Sequence, residues 1–402
     1  MAEIDVPHYF ICPISLQIMK DPVTAVTGIT YDRESIQEWL STAGICPVTK
    51  LPLTPDLTPN HMLRRLIQAW CTANAVERIP TPKSPLHKSL VRKLIRDVNN
   101  NSTGKDSIRS AALMKLAELA GEGDWNRRVM AEAGAGEAMA LYVKRAVNRR
   151  EFLGLEEALR VLHLTWTATS DLRGDENSLE LIRTVQWVLK SAVGINTVRT
   201  NALLALKAVF ENATLGLKDK LDDDLFFLLA DLLRDRSLSP AARKTVLNVL
   251  IEASSGGRNR ARIVESGLVF ELIEMELGSP EKRTSELIFG LLAQLCSLAD
   301  GRQQLLKHAG GIAVVAKRLL RVSPATDDCA LSVMESIARF SATREVVMEM
   351  LRVGAVSKLC MVLQADCAPP LKKKAREVLR LHSGEWSNSP CIQVYLLTRN
   401  PR

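Results

Sequence analysis

The chain has few cysteines and no framework among them: eight in 402 residues, with no Cys-x-x-Cys in the first 75. In those 75 residues the only Cys and His side chains are Cys12, Cys46, Cys71, His8 and His61. Two interleaved zinc sites need eight such ligands, so a zinc-stapled fold is excluded there. Scattered cysteines also exclude a disulfide scaffold and fit a reducing compartment, the cytosol or nucleus. Aromatic residues are 4% of the chain against 47% hydrophobic residues, a Leu/Ala/Val-rich balance that favours helix packed on helix. No apolar run reaches spanning length, and the N-terminus lacks the charged-then-apolar order of a signal peptide. The formal net charge is +8, but Lys and Arg are spread over many helix faces and the densest run is only Lys372-Lys373-Lys374. A nucleic-acid partner is therefore disfavoured.

Known catalytic patterns are missing too. No G-x-x-x-x-G-K-[ST], G-x-S-x-G or H-E-x-x-H occurs, and the six histidines are isolated. Cys12 and Cys46 are poor thioester nucleophiles, since no neighbouring His or helix N-terminus lowers their pKa. They read as packing residues. Any catalysis has to come from placement, and no cofactor is called for.

What is present begins with Tyr9-Phe-Ile-Cys-Pro-Ile-Ser-Leu-Gln-Ile-Met-Lys-Asp-Pro-Val23 and continues to Cys46-Pro-Val-Thr-Lys50. The pattern predicts two loops around one helix. Asp21-Pro-Val23 and Gly28-Ile-Thr-Tyr31 read as strands joined at Thr27-Gly28. Asp32 stands where an N-cap belongs, and Ile36, Trp39 and Leu40 share one face of a helix from Arg33 to about Thr42. Gly44 falls where a left-handed C-cap would follow. A second helix starts near Pro59-Asn60 with Leu63, Leu66, Ile67 and Trp70 on its apolar stripe. Lys20, Asp21, Asp32, Arg33 and Glu34 are candidates for polar links in place of metal.

Ile79-Pro-Thr-Pro-Lys-Ser-Pro85 is a proline-rich break that reads as an extended spacer. Thr81-Pro82 and Ser84-Pro85 fit the minimal pattern of proline-directed kinases, beside the basic Lys83, His87, Lys88, Arg92 and Lys93. Beyond it, helical periodicity runs almost to the end. Gly134, Gly267, Gly310 and Gly354 each close a short helix and open a longer apolar one, at separations of 133, 43 and 44 residues. An all-helical period in the forties points to a HEAT or armadillo solenoid, whose stacked repeats form one continuous curved surface for protein partners. The register between about 150 and 255 is degenerate. The Trp-x-x-x-Asn ladder of import receptors is absent from this solenoid: Val129, Ser170, Ser191 and Pro390 follow Trp125, Trp166, Trp187 and Trp386 by four residues.

From Pro7 to Asn74 the chain resembles the U-box of ubiquitin ligases, a RING-like fold without zinc. Box, linker and array together resemble the plant U-box armadillo ligases, and the ending Lys372 to Cys391 looks like their stress- and immunity-linked branch. The resemblance implies a mostly α chain divided as U-box 1–78, linker 79–88 and armadillo solenoid 89–402. It implies a groove for a ubiquitin-conjugating enzyme (E2) made by Cys12, Pro13, Ile14, Leu16, Trp39 and Pro47, with Lys50 restraining the donor ubiquitin. Expected partners are the E2, ubiquitin and a protein substrate on the solenoid; a homo-oligomer stays open. The other reading is a non-catalytic armadillo adaptor, against which Ile14, Trp39 and Pro47 argue.

Overall fold

The computed structural model describes residues 6–74, 86–100, 106–166, 175–192, 194–387, 389–390 and 392–394. They fall into two compact units, one ending at Pro85 and one beginning at Leu86.

In the first unit, β1 (Pro22–Ala25) pairs antiparallel with β2 (Thr30–Asp32), Val23 opposite Tyr31. A third strand unforeseen from sequence, β3 (Leu57–Pro59), pairs with the other edge of β1, Thr24 opposite Thr58. The strand order is β2-β1-β3. Helix α1 (Arg33–Thr42) buries Ile36 and lays Trp39 and Leu40 half-buried on the same core. Helix α2 (His61–Ala73) is capped by the Asn60 side chain, which accepts from Leu63 N at 3.0 Å. Ile67 and Cys71 are its buried residues, while Leu66 lies exposed, off the expected stripe.

Two cap expectations are corrected. Asp32 occupies the N-cap of α1 without a side-chain cap bond. Its carboxylate instead accepts from the amides of Lys20 and Asp21, both at 2.8 Å. Two converging loop amides outcompete one helical donor, so Asp32 ties the first loop to the helix start. Helix α1 ends at the extended Ala43, and Gly44 is not left-handed, because the chain runs straight on into the second loop.

The second unit is a stack of helix triplets. The third helices form a row in which each packs on the next: Asp106–Glu122, Leu155–Thr165, Asn196–Glu211, Pro240–Ala253, Lys282–Leu295, Pro324–Phe340 and Pro369–Leu381. The second helices form a parallel row from Lys88–Asn99 to Ala355–Gln364. Most triplets open with a short helix, such as Gly257–Glu265 or Arg344–Arg352. One core runs through the unit from Leu86 to Trp386. A helix leaves its last carbonyls unpaired, and here the short helices supply the donors. Buried Asn259 gives its amide to the carbonyls of Ala253 and Lys218, and Arg262 reaches Leu221 O at 2.7 Å. Arg302 likewise holds Cys296 O and Ser297 O. The polar starts of these helices are thus end-caps for the helices before them.

The corner glycines divide. Gly134, Gly267 and Gly354 are left-handed, φ 83°, 77° and 77°. The Gly310 corner turns with ordinary backbone, its amide donating to His308 Nδ1 at 3.0 Å. Gly301, inside a short helix, is needed for a different reason: a Cβ there would overlap the Leu295 carbonyl oxygen. Gly301→Ala, which raises helix propensity, is therefore expected to destabilise the solenoid by about 1–3 kcal/mol through overpacking. A denaturant melt of the full chain checks the sign; a gain in stability would contradict the close approach.

Candidate functional site

The two loops of the box are copies of one turn. Each begins Cys-Pro, Cys12-Pro13-Ile14-Ser15-Leu16 and Cys46-Pro47-Val48-Thr49-Lys50. In the first, Leu16 N donates to Cys12 O at 2.9 Å and Cys12 N to Gln17 O at 2.8 Å. In the second, Lys50 N donates to Cys46 O at 3.0 Å and Cys46 N to Leu51 O at 2.8 Å. Isolated antiparallel bridges, Ile11 with Ile18 and Ile45 with Pro52, form the two stems. Each turn closes on a left-handed L-residue, Leu16 at φ 56° and Lys50 at φ 62°. That region costs a side-chain-bearing residue roughly 1–2 kcal/mol, so both loops are held by their surroundings.

The holding groups are sulfur, indole and carboxylate. Cys12 Sγ accepts from Asp32 N at 3.3 Å. Cys46 Sγ accepts from Thr49 N at 3.3 Å and shares a 3.0 Å hydrogen bond with the Tyr31 hydroxyl. Burial alone would raise the Cys46 pKa, but the hydrogen bonds from Thr49, Tyr31 and Thr27 outweigh it and pull it down to about 6. Burial opposes the same effect at Cys12, where bonds from Ser15, Asp32 and Ile14 still lower the pKa. The Tyr31 phenol is pushed up by burial and by its bond to Cys46. Hydrogen bonds, and neither a His nor a helix N-terminus, lower the pKa of these thiols, yet both sulfurs lie in residues 0% exposed and offer no nucleophile to a substrate. Trp39 Nε1 donates to Ile45 O at 2.9 Å, fixing the stem of the second loop to α1. Of the expected polar links, Arg33 pairs with Asp21 at 2.7 Å and Arg64 adds a weaker reach to Asp21 at 3.9 Å. Lys20 contributes its backbone amide, while Glu34 is exposed.

Ile14 and Trp39 sit half-buried at the margin of the box core, and Pro47 is half-buried on the second loop. Pro13 and Lys50 are exposed, and Leu16 is 77% exposed. Cys12 is core, so it shapes the first loop and presents no contact of its own. Sequence reasoning missed Val48, 51% exposed, which occupies in the second loop the place of Ile14 in the first. Aligning the two Cys-Pro turns would have found it. Exposed Ile45 and Leu51 extend the same apolar rim. Thr81 and Ser84 lie outside the described residues.

Comparison with known proteins fits this geometry. A family model of the U-box domain matches residues 6–76, and one of the plant U-box protein ARM repeat region matches residues 90–402. The chain is similar to E3 ubiquitin-protein ligase PUB24 of Arabidopsis thaliana, 42% identical across 99% of this chain and 96% of that one. It is also similar to E3 ubiquitin-protein ligase PUB23 of the same plant, 39% identical across 99% and 98%. Among solved structures an engineered protein superposes with TM-score 0.57 at 19% identity, over 76% of this chain and 71% of that one, a likeness of fold.

Among the described residues, no group of three or more His, Cys, Asp or Glu side chains converges as a metal site. Hydrogen bonds at Cys12, Cys46 and Asp32 do the holding. Excess EDTA is therefore expected to leave the melting temperature of the full chain unchanged, whereas Asp32→Ala should lower the box transition. A large EDTA shift, or stoichiometric zinc by elemental analysis, would overturn the hydrogen-bonded account.

Proposed function

The chain belongs to the plant U-box armadillo-repeat family of E3 ubiquitin ligases, and we propose that its paired loops and Trp39 seat the charged E2. The observation that carries this is the exposed apolar rim on two strained, pinned loops. Soluble domains keep such surface where a partner covers it. Ile14, Leu16, Pro47 and Val48 are the proposed contacts, with Pro13 and the rim residues Ile45 and Leu51 beside them. Cys12 and the Trp39 indole hold the loops in shape.

The ligase forms no covalent intermediate, as suits a box whose thiols are buried. Ubiquitin passes from the E2 thioester to a substrate lysine; the thioester bond breaks, an isopeptide bond forms and the E2 thiol leaves. The gain comes from orientation and effective concentration. The U-box, taken as residues 1–78, holds the E2. The solenoid, 89–402, holds the protein substrate. The free thiols and the absence, among the described helices, of one able to cross a membrane support work in the cytosol or nucleus. One chain suffices for this scheme, and no nucleic acid enters it. Thr81 and Ser84 are proposed phosphorylation sites between the two parts.

Lys50 ends the second loop in a left-handed conformation, exposed and with no ion pair among the described residues. We assign it the restraint of the donor ubiquitin rather than E2 affinity.

Two experiments test the scheme. Ile14→Ala and Val48→Ala should each slow autoubiquitination by at least about tenfold, as expected for truncating a central apolar contact, with melting unchanged for the exposed Val48→Ala and lowered but still cooperative for Ile14→Ala at the core margin. Trp39→Ala should also destabilise the box, since a hydrogen bond and packing go together. Normal E2 binding by a folded Ile14→Ala protein would refute the groove. For Lys50, single-turnover discharge of the E2–ubiquitin thioester should fall in Lys50→Ala, with near-normal E2 affinity and rescue by Lys50→Arg. That split marks an interaction made in the reactive pose; parallel loss of affinity and rate would reduce Lys50 to a plain contact.

A further inference from the structure

Two neighbouring triplets of the solenoid part at the corners between their second and third helices. The corners join Asp223–Arg234 to Pro240–Ala253 and Leu268–Leu277 to Lys282–Leu295. Between them lies a cleft of 810 Å³, within the usual range of ligand sites. Its apolar lining comes from Leu233, Pro240, Met275 and Pro280.

The charges around it are unequal in a specific way. Each carboxylate on the lining already has a partner: Glu271 pairs with Arg234 at 2.8 Å and Glu281 with Lys244, while Glu274 is hydrogen-bonded to the His308 ring at 2.9 Å. Two lining cations have no carboxylate. Arg236 is exposed and makes no ion pair among the described residues. Arg243 spends one end of its guanidinium on the carbonyls of Asp235 and Arg236, at 3.3 and 3.0 Å, while its Nε is buried without an acceptor. A buried donor left unpaired is rare in a native fold and costs stability unless something accepts from it. The lip of the cleft is also strained: Ser279, beside the lining residues Gly278 and Pro280, is left-handed at φ 53°. Strain of this kind gathers at ligand sites.

We propose that this cleft binds an acidic segment of a client protein: an Asp or Glu carboxylate on Arg236 and Arg243, with a neighbouring apolar side chain over Met275. The inference rests on the reading that the solenoid carries the substrate, and it places a recognition point at the helix corners, apart from the exposed face of the third-helix row. Such a client is selected by a negative charge next to an apolar residue, not by charge alone.

The test uses the full chain and a short fluorescein-labelled peptide of alternating Glu and Leu, with a Lys/Leu peptide as control. Fluorescence anisotropy should show preference for the acidic peptide. Arg236→Glu, at an exposed position, should weaken it by about tenfold or more, the effect of losing a charged hydrogen bond, and should improve binding of the Lys/Leu peptide. Met275→Glu should weaken the acidic peptide comparably from the apolar wall. Equal affinity for the two peptides, or no effect of either variant, would overturn the proposal. So would displacement by free succinate as effective as that by unlabelled peptide, since the site would then serve a small dicarboxylate. Discharge of the E2 thioester onto free lysine, read in parallel, should be the same for Arg236→Glu and wild type. If discharge fails in both, the ligase scheme falls and the peptide result stands by itself.

Discussion

Everything the box presents depends on closing two short turns around a strained residue without a metal to hold them. A left-handed Leu16 or Lys50 is tolerable only if the amides and carbonyls around it are fully engaged. The Cys12 and Cys46 main chains close the turns, and their sulfurs accept further hydrogen bonds from inside the core. Asp32 gathers the amides before β1, and the Trp39 indole gathers the carbonyl before Cys46. Each pin joins a loop to the sheet or helix. The exposed Leu16 and Val48 on the outside of the loops are then aimed by the backbone, while Ile14 also rests on the margin of the core. This is how a surface can be both apolar and rigid.

The solenoid meets a different demand. The last carbonyls of a third helix point at the next corner. Asn259 and Arg302 answer by donating across that corner and reach a neighbouring triplet as well, at Lys218 O and Ser341 Oγ, while Arg262 reaches the preceding triplet at Leu221 O. Ion pairs such as Arg199 with Asp235 and Arg234 with Glu271 repeat the link from triplet to triplet. Burial holds Glu276 above the usual carboxylate range against the opposing pull of Ser285 and Arg318, which marks how dry this seam is. Polar groups therefore set the register of the stack, while the apolar row supplies its bulk.

Much of this was legible in the amino-acid order, because the signals were local. Ile36 and Trp39, or Ile67 and Trp70, repeat at helical spacing, and Gly134, Gly267 and Gly354 mark corners that only glycine turns easily. What was hidden depends on distant partners. β3 is three residues of Leu-Thr-Pro, which becomes a strand only because β1 offers a free edge. Asp32 looks like a helix cap until the amides of Lys20 and Asp21 arrive. The degenerate middle has a physical cause: the corner between Leu215–Asp219 and Asp223–Arg234 is made by Lys220-Leu221-Asp222, with no glycine to announce it. The twin turns were in plain view as two Cys-Pro segments whose alignment pairs Val48 with Ile14, and matching hydrogen bonds give them one backbone geometry.

The cleft could not have been read from sequence at all, since its lining comes from two repeats some forty residues apart. That origin has a thermodynamic consequence. In a stack where each repeat touches only its neighbours, stability is nearly a sum of repeat and interface contributions. A ligand held at a corner between two triplets is coupled to that one interface, and its binding energy strengthens the contact between Pro240–Ala253 and Lys282–Leu295 before any other. A client held there would stiffen the middle of the array while leaving the ends as they were. Recognition and mechanical definition of the solenoid are then one event, reached through Arg243, whose guanidinium already grips the corner carbonyls of Asp235 and Arg236.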